Sequence, residues 1–216
     1  MIEQKEAFTM IELVMVIVVV GILAIMAFPR LDRDLREEAI TDILGAIRYT
    51  QHLALIDDKH IFNNPKWHQR YWKIFFAKCA GANNWFYMIG SDSNMDSNGR
   101  FERSEASIDA STGLPYFWKT TKSCDEGGDG SVSPDIFLSK KYGIDSIDFS
   151  GGCRGTHYLG FDRFGRVHIH FGASSSPDYS SYMRRDCKIT FSFKDSSIKP
   201  FIIIVTKETG YAYLKI

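Results

Sequence analysis

The sequence predicts an α+β protein in which one long N-terminal helix packs on antiparallel β-sheet. Three observations carry that expectation. Residues 13–28 are an unbroken run of apolar side chains and glycine. Residues 31–54 repeat apolar side chains every three or four positions, the period of a helix with one buried face. From Tyr71 onward the texture changes to short runs of aromatic and β-branched residues separated by Gly, Asn, Asp and Ser, the pattern of strands and turns. At 216 residues the chain has room for one single-pass segment and one compact domain with its own core. Lys plus Arg, 26, cancels Asp plus Glu, 26, so no overall field favours nucleic acid or an acidic membrane.

The first element, extended on its N-terminal side by residues 8–11, approaches the ~20 residues that cross a bilayer. It reads as a transmembrane helix over residues 8–29. Its one charge is Glu12. A carboxylate within a membrane costs roughly 2.5 to 3.5 kcal/mol on insertion scales, so an assembly partner or a counter-charge is expected there. A cleavable secretory signal needs a basic start and a small-x-small exit. Residues 1–7 instead carry two acids against one lysine, and Pro29 closes the apolar run. A plain anchor would account for the hydrophobicity and leave Glu12 without a reason.

The segment Ala7-Phe8-Thr9-Met10-Ile11-Glu12-Leu13-Val14, followed by the apolar run, Gly21 and Pro29, resembles the prepilin N-terminus of type IV pilins and type II secretion pseudopilins. That resemblance implies a pilin-like fold whose leader, residues 1–7, is removed by a prepilin peptidase between Ala7 and Phe8, with N-methylation of Phe8. Ala7 stands where the family usually has glycine. Glu12 would be the family's assembly glutamate and Pro29 its helix-kinking proline. Charge pairing fits this: the freed amine of one subunit's Phe8 and the Glu12 carboxylate of a neighbour would form a buried pair that sets register. The implied partners are other pilin or pseudopilin subunits, the peptidase and an inner-membrane assembly platform. The implied location is the bacterial inner membrane, single-pass, with a periplasmic head, and then a pilus or pseudopilus. The role is structural and not enzymatic, with no cofactor required.

Residues 30–56 continue the helix as an amphipathic segment, with Leu31, Leu35, Ala39, Ile43, Ala46, Ile47, Thr50 and Ala54 on one face and a kink or loosening expected at Pro29 and Gly45. Arg48-Tyr49-Thr50-Gln51 reads as an ordinary helix face and not as a basic recognition motif. Residues 57–216 form a β-rich head, with strands expected at 71–77, 85–89, 146–149, 158–161, 166–171, 188–193, 201–205 and 212–216. The later ones sit at hairpin spacing, with turns at 162–166 and 208–210. A strand, then Phe-Asp-Arg-Phe-Gly-Arg, a strand and a final Thr-Gly hairpin are similar to the head of the minor pseudopilins called H and related minor pilins. The four cysteines, Cys79, Cys124, Cys153 and Cys187, contain no C-x-x-C pair, which suits disulfides in an oxidising compartment. Three pairings are open; Cys79 with Cys124 and Cys153 with Cys187 close the shorter loops.

Four further clusters carry candidate chemistry. Asn94, Asp96 and Asn98, then Gly99 and Glu105, fit the alternating-oxygen template of a calcium loop, with Asn in place of the first Asp and Asp92 nearby. The same residues also make a solvated turn. The acidic loop at 125–130 fits no template. His168 and His170 are two apart on an expected strand, facing one way, with His157 as a possible third ligand; ordinary surface histidines are the commoner outcome. Arg163, Arg166, Arg184 and Arg185, near Tyr158, Phe164, Tyr179 and Tyr182, offer phosphate contacts and stacking. They support an alternative reading as a DNA-binding minor pilin of an uptake machine. Asp162, Asp178 and Asp186 interleave with them, so a balanced surface is the default. No Gly-x-Ser-x-Gly, His-Glu-x-x-His or phosphate-binding loop occurs, which removes the familiar hydrolase and nucleotide motifs.

Overall fold

A computed structural model describes residues 9–81, 83–96, 100–125, 127–172, 174–177 and 179–215. For residues 25–34 and Tyr179 only the backbone is described. Helix α1 (Met10–Ile56) is the first element of the described residues, with Pro29 and Gly45 inside it. Strands β1 (Trp72–Lys78) and β2 (Trp85–Gly90) follow, then the short helix α2 (Leu138–Tyr142). The chain continues through β3 (Ile144–Gly151), β4 (Tyr158–Phe161), β5 (Val167–His168), β6 (Cys187–Phe193), β7 (Phe201–Val205) and β8 (Ala212–Leu214). The class is α+β, a helix with two antiparallel sheets ordered β2-β1-β4-β5 and β3-β6-β7-β8.

Burial on α1 changes abruptly along its length. Ala39, Ile43, Ala46, Ile47, Thr50 and Ala54 are buried, which puts the three-and-four spacing of the sequence against the sheets. The helix packs on β1, β4 and β8. Thr50, a polar residue in that face, satisfies its hydroxyl by donating to the Ala46 carbonyl at 2.8 Å. Polar attachments run along the helix: Arg36 donates to the Lys199 carbonyl at 3.0 Å and Asp42 accepts from Lys141 at 2.9 Å, while Arg48 and Gln51 serve its C-terminal part. Arg48 donates to the Ala212 carbonyl at 3.1 and 2.9 Å, and Gln51 Nε2 donates to the carbonyls of Gly165 and Thr209 at 3.0 and 2.6 Å. Those carbonyls belong to the β4–β5 and β7–β8 turns, so one amide ties both sheets to the helix. Gly210 (φ +66°) is required there, since an added Cβ would lie 2.1 Å from the Gly165 carbonyl oxygen.

The two sheets share one core. Phe76 of β1 meets Phe149 of β3 at 5.8 Å and Phe191 of β6 at 5.9 Å between ring centroids, and Phe191 stacks on Phe201 of β7 at 4.9 Å. Disulfides join Cys79 to Cys124 and Cys153 to Cys187, the pairing with the shorter loops. The second ties the ends of β3 and β6, which are already register partners at Gly151 and Cys187.

One expected strand is corrected. Residues 166–171 were expected to be extended throughout, yet β5 is only Val167–His168, because His170 takes a positive φ of 54° that no ladder accommodates. Among the described residues no helix is long and apolar enough to cross a membrane; the described side chains of the apolar run end at Ala24.

Candidate functional site

The part of the protein with the least internal reason for its composition is the start of α1. Every large apolar side chain from Met10 to Leu23 is more than half exposed. A contiguous apolar surface of this length on one chain marks contact with lipid or with another protein. At its head, Thr9 caps the helix. The Thr9 amide and hydroxyl both donate to Glu12 Oε2, at 2.9 and 2.7 Å, and the Glu12 amide donates back to the Thr9 hydroxyl at 3.4 Å. This capping box satisfies donors that a helix start leaves bare. It is written in the sequence as Thr-x-x-Glu and is an additional, local reason for Glu12. Oε1 takes no hydrogen bond among the described residues. Ala7 and Phe8, the expected cleavage site, lie outside the described residues, and of Pro29 only the backbone is described.

The calcium template falls on a loop after β2. It is flanked by that strand and by a single 3₁₀ turn, Arg103–Glu105, not by two helices. Glu105 closes the loop on itself, with Oε1 accepting from the Asn94 amide and Oε2 from the Glu102 amide, each at 3.0 Å. The Asn94 side chain accepts from the Asp96 amide at 3.1 Å, an Asx turn. Asn98 and Gly99 lie outside the described residues. Among the described residues no group of three or more His, Cys, Asp or Glu is placed to hold a metal.

The histidines do not gather. His170 is exposed at its positive-φ position, whereas His168 is 5 % exposed. Its Nδ1 faces the Ser181 hydroxyl at 2.8 Å and its Nε2 faces Asp162 at 3.3 Å. This Asp-His-Ser line is hydrogen-bonded inside the fold, and Ser181 lines neither of the two clefts described below. Its sequence signal was absent, because the three residues are spread over a turn, a strand and a 3₁₀ turn.

The arginines are partly committed. Arg166 pairs with Asp162 at 2.7 Å and Arg163 with Asp58 at 3.2 Å, and both guanidinium groups lie over Phe164, at 4.7 Å for Arg163 and 5.0 Å for Arg166. Burial raises the Asp162 carboxyl, but bonds from His168 and Arg166 outweigh it and hold the pKa below the usual range. Arg184 and Arg185 remain exposed before β6.

Clefts among the described residues flank these elements. One, of about 230 Å³, lies beside the end of α1 and is lined by Asp57, Asp58, Lys59, Arg163 and Arg166 among others. Its charges are paired within the protein, including Lys59 with Asp57 at 2.5 Å. Another, of about 680 Å³, lies on the first sheet. Lys73 in its floor is 2 % exposed. Burial brings the Lys73 ammonium down to about 7, against the pull of Asp92 and Glu105. Comparison with known proteins returns no match to a protein-family model, a curated protein or a solved structure.

Proposed function

We propose that the chain is a structural subunit, a minor pilin or pseudopilin, of a type IV pilus or type II secretion filament. The observation that supports this reading is the contrast along α1, with an apolar, exposed first half continuing into a second half buried against the head. A surface of that kind needs lipid before assembly and neighbouring helices after it. Under this reading residues 1–7 are a leader cut between Ala7 and Phe8, and residues 8–29 hold the chain in the inner membrane with residues 57–216 as a periplasmic head. The Phe8 amine, methylated, then meets Glu12 of an adjacent subunit. Glu12 has the capacity for both roles, since a carboxylate offers about four lone-pair positions and Thr9 engages only Oε2. No catalysis, and no obligatory cofactor, belongs to this proposal. A calcium ion at Asn94, Asp96, Asn98 and Glu105 would be an accessory, checked by calcium titration calorimetry. DNA capture by Arg163, Arg166, Arg184 and Arg185 gains nothing from the ion pairs that neutralise the first two.

Intact mass and N-terminal sequencing of the membrane-extracted protein, in cells with and without a prepilin peptidase, test the proposal. A mature chain starting at methylated Phe8 only when the peptidase is present is the expected result. Glu12→Ala should be processed yet missing from filaments. A chain starting at Met1 in both strains, or Glu12→Ala incorporating normally, would overturn it.

A further inference from the structure

The outer face of the first sheet carries a feature that the filament reading does not use. Two cross-strand rows lie there. In one, Lys73 of β1 stands between Gly90 of β2 and Gly160 of β4; in the next, Phe75 stands between Met88 and Tyr158. The glycines are sites of close approach. A Cβ at Gly90 would lie 2.3 Å from the Phe101 ring, and one at Gly160 would lie 2.3 Å from the Phe171 ring. Both rings therefore lie on bare backbone on either side of Lys73, leaving Phe75 and Tyr158, half-buried and stacked at 6.2 Å, as the floor of the 680 Å³ cleft. Phe117, tilted on Phe101 at 6.2 Å, forms a wall.

The basic groups lining this cleft are Lys73, Arg100, Lys119 and His170, with no carboxylate among the described lining residues. In a chain whose charges otherwise balance, that segregation is selective. Arg100 and Lys119 are exposed, and their side chains make no hydrogen bond or ion pair with described residues, so they keep their charge for a ligand. The volume falls within the ~300–1,000 Å³ of ligand-sized pockets.

We propose that this cleft is a docking groove for an acidic peptide segment of a partner protein, which inserts an aromatic side chain over Phe75 and Tyr158 while its carboxylates meet Arg100 and Lys119. Charge complementarity of this kind governs partner choice and encounter rate, and the aromatic floor supplies the desolvated anchor around which such interfaces are built. A peptide fits better than a nucleic acid strand. Across Phe101 and Lys119 the adjoining surface contains Glu102 and the Lys122–Asp129 pair at 3.4 Å, which interrupts any track of phosphate contacts. Phe101 and Trp118 are nearly buried, so the open rings end at Phe75, Tyr158 and Phe117 within the cleft and do not continue as a platform for successive bases.

The test is fluorescence anisotropy on the full chain in lipid nanodiscs. The probe is a fluorescein-labelled peptide with one phenylalanine between two aspartate–glutamate pairs. Three comparison probes replace the phenylalanine by serine, replace the acids by lysine, or are labelled oligothymidylate. Saturable binding of the first probe is expected, weakened at least tenfold by Lys119→Glu and by Arg100→Glu and by either peptide change. Both substitutions are on exposed side chains, and unchanged melting temperatures will show that the fold survives. Absence of saturable binding up to millimolar probe, or binding indifferent to both charge reversals, would overturn the proposal. Tighter binding of oligothymidylate would overturn it in favour of a nucleic-acid surface. No outcome bears on filament assembly, so the two proposals fail separately.

Discussion

Asp109 is 3 % exposed, and its surroundings decide its ionisation. Burial alone would raise its pKa. The Ser133 hydroxyl at 2.6 Å, with the Ser111 amide and hydroxyl at 2.8 Å each, more than offset that and hold it down to about 2. A carboxyl held below its unfolded value stabilises the fold fully above about pH 4 and loses that contribution as the pH falls toward its native value. At ~1.4 kcal/mol per unit, on the order of 2 kcal/mol should disappear as the pH falls from about 4 through 2. Denaturant melts across that window should show the loss, and Asp109→Asn should be less stable at pH 7 with a flatter profile below pH 4. None of this was legible in the sequence, where Asp109 sits in an ordinary polar stretch. Its partner Ser133 is distant in the chain and takes its place only through the fold. Glu12 is the opposite case. Its oddity was plain from the sequence, but its capping bond to Thr9 was spelled by a spacing easily passed over beside the larger puzzle of a charge in an apolar run.

At the scale of elements, the helix face and most strands were readable because burial imposes a period on the sequence. Ala39, Ile43 and Ile47 follow from the spacing alone, as do β1, β2 and β4 from their composition. The limits were backbone events that leave little compositional trace. His170 at positive φ cut β5 short, and that separated two histidines which strict alternation would have set side by side. Five residues of α2 were also too short a run to show a helical period. The attachment of α1 through Gln51 was equally hidden, since a glutamine on a helix flank looks like any solvated residue. Gln51→Ala removes two hydrogen bonds and leaves two turn carbonyls without that donor, at a cost of roughly 1 to 3 kcal/mol. Gly210→Ala should cost more, because it adds a left-handed backbone penalty of ~1 kcal/mol to the collision with the Gly165 carbonyl. Thermal melts of the two variants give the order directly; equal stability of Gly210→Ala and the parent protein would contradict the close approach of the turns.

For the whole molecule, the cysteines set the conditions under which this head stays folded. The bridges close separations of 45 and 34 residues, each worth about 4 kcal/mol in the chain-entropy account. That is a large part of the roughly 5–15 kcal/mol that holds an ordinary domain together. Reduction should therefore lower the melting temperature sharply. Replacing Cys153 and Cys187 by serine should cost a comparable amount to replacing Cys79 and Cys124. Guanidinium unfolding with and without reductant measures both. Loop length favoured this pairing from the sequence, but the meeting of β3 and β6 edges that makes the second bridge possible required the sheet itself. The Gln51 attachment has a mechanical consequence as well. A pull along the axis of α1 would load the Arg36, Asp42, Arg48 and Gln51 attachments in shear, and the Gln51 amide would pass its share into a turn of each sheet. The two sheets would share tension through that one amide, and neither would carry the load alone.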